Sequence, residues 1–245
     1  MRDSAKISEI GQVREENQDS FFLDDDAGLY AVADGMGGCA EGGAASAMMV
    51  EQTAVAAKAG LKRNLASRVE IFMDAIADAN EAILAYARRQ RYRQMGTTLA
   101  ALWFDPDDAS RAVVCHVGDS RVYRLRGDEL VLLTRDHTVI AELTGALGGE
   151  TMPGGERHPL AHMLTRAVGT EAAARPEWRR IEVEDGDVYL ICSDGVHGML
   201  ADAEIAAALR GVGPAAACRR LAKQVEARGA GDNYTAVVIR TKGGR

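Results

Sequence analysis

Carboxylates at the ends of apolar runs are the first residues in this 245-residue chain whose type and spacing could do chemistry. Asp34 closes LYAVAD, Asp119 follows VVCHVG, Asp194 closes VYLICSD, Asp232 lies just before YTAVVIR, and Asp19 precedes FFL. Side chains at strand ends lie on a sheet rim, where rigid strand bodies can aim several oxygens at one volume. Such a cluster repels itself without a cation. Its donors are oxygens alone, with no His or Cys beside the aspartates at soft-metal spacing, so magnesium or manganese is favoured over zinc. Gly35 and Gly195 follow two of the aspartates, and a glycine there lets the backbone bend sharply or admit a ligand closely. Arg14 stands five residues before Asp19. Its planar fork could grip a phosphate through paired hydrogen bonds, although spacing alone favours a solvated surface arginine.

The elements that must position these residues are legible as blocks. Residues 4–10, 20–24 and 28–33 read as strands. Residues 40–59 are Ala-rich at helical spacing, and 65–90 place Val69, Phe72, Met73, Ile76, Ile83 and Leu84 on one helical face, with Asn64 as its cap. TTLAALWF, RAVVCHV, SRVYRLR and ELVLL then read as a meander of four strands. Residues 136–170, dotted with Gly, His and Pro, suit a surface excursion with a short helix near 138–146. Strands at 180–184 and 187–193 flank Asp185-Gly186, which reads as a hairpin turn. Helices at 202–210 and 214–228 precede a last strand at 234–241. Strands and helices are segregated and the hairpins demand antiparallel pairing, so an α+β layered domain is expected over a doubly wound parallel sheet.

Composition narrows the function classes. Lys and Arg number 29 against 36 Asp and Glu, a net charge of −7, and no basic block marks a nucleic-acid footprint. Apolar residues make up 47% of the chain, enough for a proper core in one domain. The opening residues are charged throughout and lack a signal-peptide stretch, and no run approaches the roughly 20 apolar residues of a membrane span. Cys39, Cys115, Cys192 and Cys218 are scattered without a CxxC pair, so neither zinc nor a disulfide framework is indicated. The expectation is a cytoplasmic monomer that engages neither membrane nor nucleic acid.

Eight segments occur in an order that resembles a known family: RxxNQD at 14–19, VADGMGG at 32–38, GTTL at 96–99, HVGDSRVYR at 116–124, LTRDHT at 133–138, LTRAVG at 164–169, CSDG at 192–195 and GDNYTAVVI at 231–239. The chain is similar to the metal-dependent protein phosphatases, the type 2C Ser/Thr phosphatases, in their short bacterial form. Each motif alone is weak, and the ordered set is specific. The resemblance implies one catalytic domain over 1–245: a central antiparallel β-sandwich flanked by helices on both sides, in four α-β-β-α layers. A flap beside the active site would occupy about 136–165. Two Mn2+ or Mg2+ ions are implied. Asp34 would bridge them, Gly35 would give its carbonyl to one, and Asp194 and Asp232 would bind the other. Asp119 would join Asp194 at a possible third ion, Asp19 would act largely through water, and Arg14 would bind the substrate phosphate. Arg14, Asp34 and Asp194 are thus the expected catalytic set.

The implied reaction is hydrolysis of phosphoserine or phosphothreonine on proteins by direct attack of a metal-activated water, opposing a Ser/Thr kinase. Two departures from the family pattern matter. Gln18 stands where some members carry Glu, which lowers the site's negative charge. Met36 replaces a His proposed elsewhere as general acid, so the proton donor is open. His137 and His158 lie in the excursion, where a structural or solvent-facing role is the preferred reading. The rival from another class is a catalytically silent binding module of the same fold, whose mark would be loss of the metal aspartates. A metal-dependent nuclease is disfavoured by the acidic surface.

Overall fold

In the computed structural model, which describes residues 2–37, 39–61, 63–146, 160 and 163–242, the chain opens with three strands, β1 (Arg2–Glu9), β2 (Asp19–Asp24) and β3 (Leu29–Gly37). Two long helices follow, α1 (Cys39–Gly60) and α2 (Leu65–Gln90). Next come β4 (Met95–Thr97), β5 (Leu99–Phe104), β6 (Arg111–Val117), β7 (Arg121–Arg126), β8 (Glu129–Leu132) and the short α3 (Val139–Ala146). The chain continues with β9 (Glu177–Glu182), β10 (Val188–Cys192), α4 (Asp194–His197), α5 (Asp202–Leu209), α6 (Pro214–Glu226) and β11 (Tyr234–Thr241).

Two antiparallel sheets result, one ordered β1-β11-β10-β7-β8 and the other β2-β3-β5-β6-β9 with β4 added beside β3. Alternation along the central strands sends each into two cores at once. In β3, Tyr30 and Val32 face the other sheet, where they share a core with Val122, Tyr189, Ile191 and Val237. Leu29, Ala31 and Ala33 of the same strand pack outward on α1 and α2. In β11, Val237 and Ile239 point into the sandwich while Ala236 and Val238 pack on α5 and α6. Each fully buried Val, Ile or Leu contributes about 1.5–3 kcal/mol. The layers therefore stack α-β-β-α, the α+β sandwich expected from the sequence.

The α2 helix spans the residues its periodicity predicts, and the Asn64 side chain caps it by accepting from the Ser67 N–H at 3.0 Å. Two expectations need correction. The four strands after Gly96 are not one meander: β5 and β6 pair in one sheet, β7 and β8 in the other. The chain changes sheets at Gly118-Asp119-Ser120, where Gly118 has φ +96°. Asp185-Gly186 is likewise no hairpin, since β9 pairs with β6 whereas β10 lies between β7 and β11. The turn carries the chain from one sheet to the other. Apolar runs report burial, not sheet membership, which explains both errors. The α4 helix escaped the sequence reading because four residues carry no periodicity.

The base of the 136–170 excursion is tied by backbone bonds from Thr165 N–H to the His137 carbonyl (2.8 Å) and from Val139 N–H to the Met163 carbonyl (2.9 Å). His158 lies outside the described residues. Among the described residues, no helix is long and apolar enough to cross a membrane.

Candidate active site

Register places the first two carboxylates side by side, because Asp19 and Asp34 are direct cross-strand partners of β2 and β3. Like charges so placed destabilise a sheet unless something offsets them. The Asp34 backbone is held by the GTTL segment: its N–H donates to Thr98 Oγ1 (3.0 Å), and its carbonyl accepts from Thr97 Oγ1 (2.9 Å) and Thr98 N–H (2.8 Å). Gly35 must be glycine, since a Cβ there would fall against the Gly42 carbonyl at the start of α1. The Gly35 N–H donates to the Gln18 carbonyl at 3.1 Å, locking the Asp19 and Asp34 segments together.

Asp194 opens α4, immediately after Ser193. The Ser193 hydroxyl donates to Asp19 Oδ2 at 2.7 Å and accepts from the Thr235 N–H at 3.0 Å, so a strand of each sheet is pinned to the same point. Gly195 lets α4 approach the Asn233 carbonyl closer than any Cβ would allow. Asn233 in turn organises the loop bearing Arg14: its amide donates to the Ile10 (2.8 Å) and Glu16 (2.9 Å) carbonyls and its oxygen accepts from Gln18 N–H (2.9 Å). Ser193, Asn233, Thr97 and Thr98 were missed from the sequence. Their presence inside the motif segments was the available signal.

The aspartates converge. Burial raises Asp34 well above the ordinary carboxylate range, and the charges of Asp19, Asp194, Asp119 and Asp232 raise it further. Asp19 is pushed up to about 6, chiefly by burial, with Asp194 and Asp232 adding and the hydroxyls of Ser193 and Thr235 opposing. Burial, Asp194 and Asp136 push Asp119 up to about 8. Arg14 donates to Asp232 Oδ2 at 2.6 Å and is held above its ordinary value by that bond, with Asp194 and Asp34 contributing. Asp34 therefore feels the charge of each of the other five predicted side chains, and the arginine is engaged in an ion pair.

One atom shows what the arrangement asks for. Asp19 Oδ1 is buried and has no hydrogen-bond partner. A buried bare carboxylate oxygen is costly. Together with the crowded carboxylates around Asp34, it fits a divalent cation that takes oxygen ligands, as Mg2+ and Mn2+ do.

Two of the three buried histidines among the described residues stack on each other outside this cluster. The His116 and His137 rings stack with centroids 4.6 Å apart, and burial lowers both below the ordinary imidazole range. His137 is a buried structural residue rather than a solvent-facing one, with 3% of its surface exposed. Of the cysteines, Cys115, Cys192 and Cys218 are buried, and burial raises each thiol. None of these three is a nucleophile in waiting.

A family model described as Protein phosphatase 2C matches residues 11–230. The chain belongs to the protein phosphatase 2C family. The metal-dependent Ser/Thr protein phosphatase activity expected from the motifs stands on this membership. Protein phosphatase PhpP of Streptococcus pneumoniae is 33% identical over 203 residues, covering 81% of this chain and 80% of PhpP. Among solved structures, PppA of Pseudomonas aeruginosa, described as a key regulatory component of T6SS, superposes with a TM-score of 0.88 at 34% identity, covering 98% of this phosphatase and 97% of PppA. The catalytic domain of the Ser/Thr phosphatase PstP, solved with 2 manganese ions, gives a TM-score of 0.86 at 32% identity over 99% of both chains.

Proposed function

We propose that two Mn2+ or Mg2+ ions would be held by Asp34, serving both, with the Gly35 carbonyl on one and Asp194 and Asp232 on the other, while Asp19 would act largely through water. Asp119 and Asp194 hold a third, weaker ion. The observation that carries this reading is the convergence of four other carboxylates on the buried Asp34, beside the unpartnered oxygen of Asp19. Bound there, the ions would supply an acidified water as nucleophile and charge neutralisation for the phosphoryl oxygens.

The chain's own residues do the rest. Arg14, half-exposed and now paired with Asp232, can turn its fork to the incoming phosphate, which offers it the same paired acceptors as a carboxylate. Ser193, donating to Asp19, and Thr98, whose Oγ1 accepts from the Asp34 N–H, keep the ligand oxygens from relaxing away from one another. No cysteine chemistry is needed, and a phosphoenzyme is not formed. The substrates are phosphoserine and phosphothreonine proteins, and the partner is a Ser/Thr kinase acting on the same targets in the cytoplasm. The Ser/Thr phosphatase relatives support this reading.

The test is dephosphorylation of a phosphothreonine peptide with manganese, magnesium or chelator, beside Asp34→Ala and Asp194→Ala. Turnover should require the metal, and each substitution should lower it by a factor of about 10^2–10^3, as loss of one group that stabilises transition-state charge does. Unchanged turnover in a metal-titrated Asp194→Ala enzyme would overturn the assignment. Silence of the folded wild-type protein with every metal would favour a binding module.

A further inference from the structure

Asp119 sits on the three-residue crossing between sheets, and the side chains gripping that crossing come from outside the ligand set. The His137 N–H donates to the Gly118 carbonyl at 3.0 Å, and the Gly118 N–H donates back to His137 Nδ1 at 3.1 Å. His197 Nε2 lies 3.0 Å from the Asp119 carbonyl, and the Ser120 hydroxyl bonds that of Thr98 at 2.6 Å. Gly118 itself, at φ +96°, is packed against Thr98 with no room for a Cβ. The crossing is thus fixed at each of its three residues.

The reciprocal bond to Gly118 demands one tautomer of His137. If Nδ1 accepts, the ring proton is on Nε2, which lies 3.3 Å from Glu177 Oε1 and 3.3 Å from Arg166 Nη1, and of these two only the carboxylate can accept it. Glu177 is held there by Arg166, whose Nη1 donates to the same oxygen at 2.7 Å. Ligand-capable atoms of His116, His137 and Glu177 lie within 4.8 Å of one another, a spacing that a metal ion could use. The proton bookkeeping favours a hydrogen-bond relay instead: binding an ion at Nε2 would force the proton onto Nδ1, against the Gly118 N–H. The His137 carbonyl also accepts from Thr165, so the same residue closes the base of the excursion.

We propose that His137 is a positioning residue: through Gly118 it holds Asp119 ready for the third ion, and it links that ion to the base of the excursion. This rests on the ligand role proposed above for Asp119. The Gly118 N–H sets the tautomer, and Glu177, held by Arg166, is the acceptor beside Nε2.

The experiment measures Mn2+ binding by electron paramagnetic resonance, together with amide exchange of residues 117–121 in metal-free protein. Wild type is compared with His137→Leu, His137→Asn and Asp119→Ala. His137→Leu should weaken only the weakest binding step, by about tenfold, the equivalent of one buried hydrogen bond. It should also speed exchange of the crossing. His137→Asn, whose Oδ1 can accept from Gly118, should restore both. Because a buried His→Leu change can prevent folding, Glu177→Met and Glu177→Gln form a second pair on an exposed strand. Only the Met variant, with no oxygen for Nε2–H, should weaken that step. An equal shift of all steps in His137→Leu would overturn the proposal, as would an unchanged weakest step where Asp119→Ala abolishes it. If Asp119→Ala leaves every step intact, the ligand role of Asp119 fails and the proposal with it.

Discussion

Asp34 stands where function and stability pull apart. Its carboxylate is buried among four others, an arrangement that a proton or a cation must neutralise. Asp34→Asn removes a repelling charge at nearly constant volume, so it should stabilise the metal-free protein while destroying turnover. A gain of about 1 kcal/mol would appear as a rise of about 2–4 °C in the melting temperature under chelator. A lower melting temperature for Asp34→Asn would mean that the carboxylate is held by donors rather than strained. At this scale the sequence was informative about residue type and strand-end placement. It was silent about Asn233, Ser193 and His137, whose value lies in which distant backbone group each one faces.

The crossing at Glu184 to Asp187 shows how an element is held when it is not a hairpin. Asp187 is buried, receives Arg126 through Nε and Nη2 at 2.8 Å each, and accepts from the Glu184 N–H at 2.9 Å and the Tyr189 hydroxyl at 3.0 Å. Burial alone would raise its pKa, but these donors outweigh burial and hold it below the ordinary value. A carboxylate depressed in the fold contributes stability that is present above its unfolded pKa, near 3.9, and lost as pH falls through the folded value. Asp187→Asn should therefore destabilise the protein at neutral pH by about 2–4 kcal/mol. It should also flatten the fall in stability below about pH 4, read from urea midpoints across pH. Equal midpoints at pH 7 would show that the turn does not need the ion pair. Sequence exposed this turn through Asp185-Gly186 but not its partners, because Arg126 lies on a strand 58 residues before Glu184.

Across the whole molecule, the proposed ligands belong to no single element: they sit on β2 and β3, on the crossing between β6 and β7, at the start of α4 and just before β11, so binding an ion would tie the sandwich together. Ions that bind only the folded state stabilise it by about 2.7 kcal/mol at a hundredfold excess over Kd. Manganese should raise the melting temperature of the wild type and chelator should reverse it, with Asp194→Ala showing a much smaller response. An equal response would place the ions elsewhere. The sequence by itself determined the α+β class, the long helix over 65–90, the oxygen-only donors and the ordered motifs, because each of these is written in local periodicity, residue type or linear order. Only the tertiary structure decided which sheet each strand joins, that Arg14 pairs with Asp232, and that His137 grips Gly118. Those are contacts between residues far apart in the chain, and they are set by how the two sheets pack against each other, a property of the assembled layers that no short window of sequence contains.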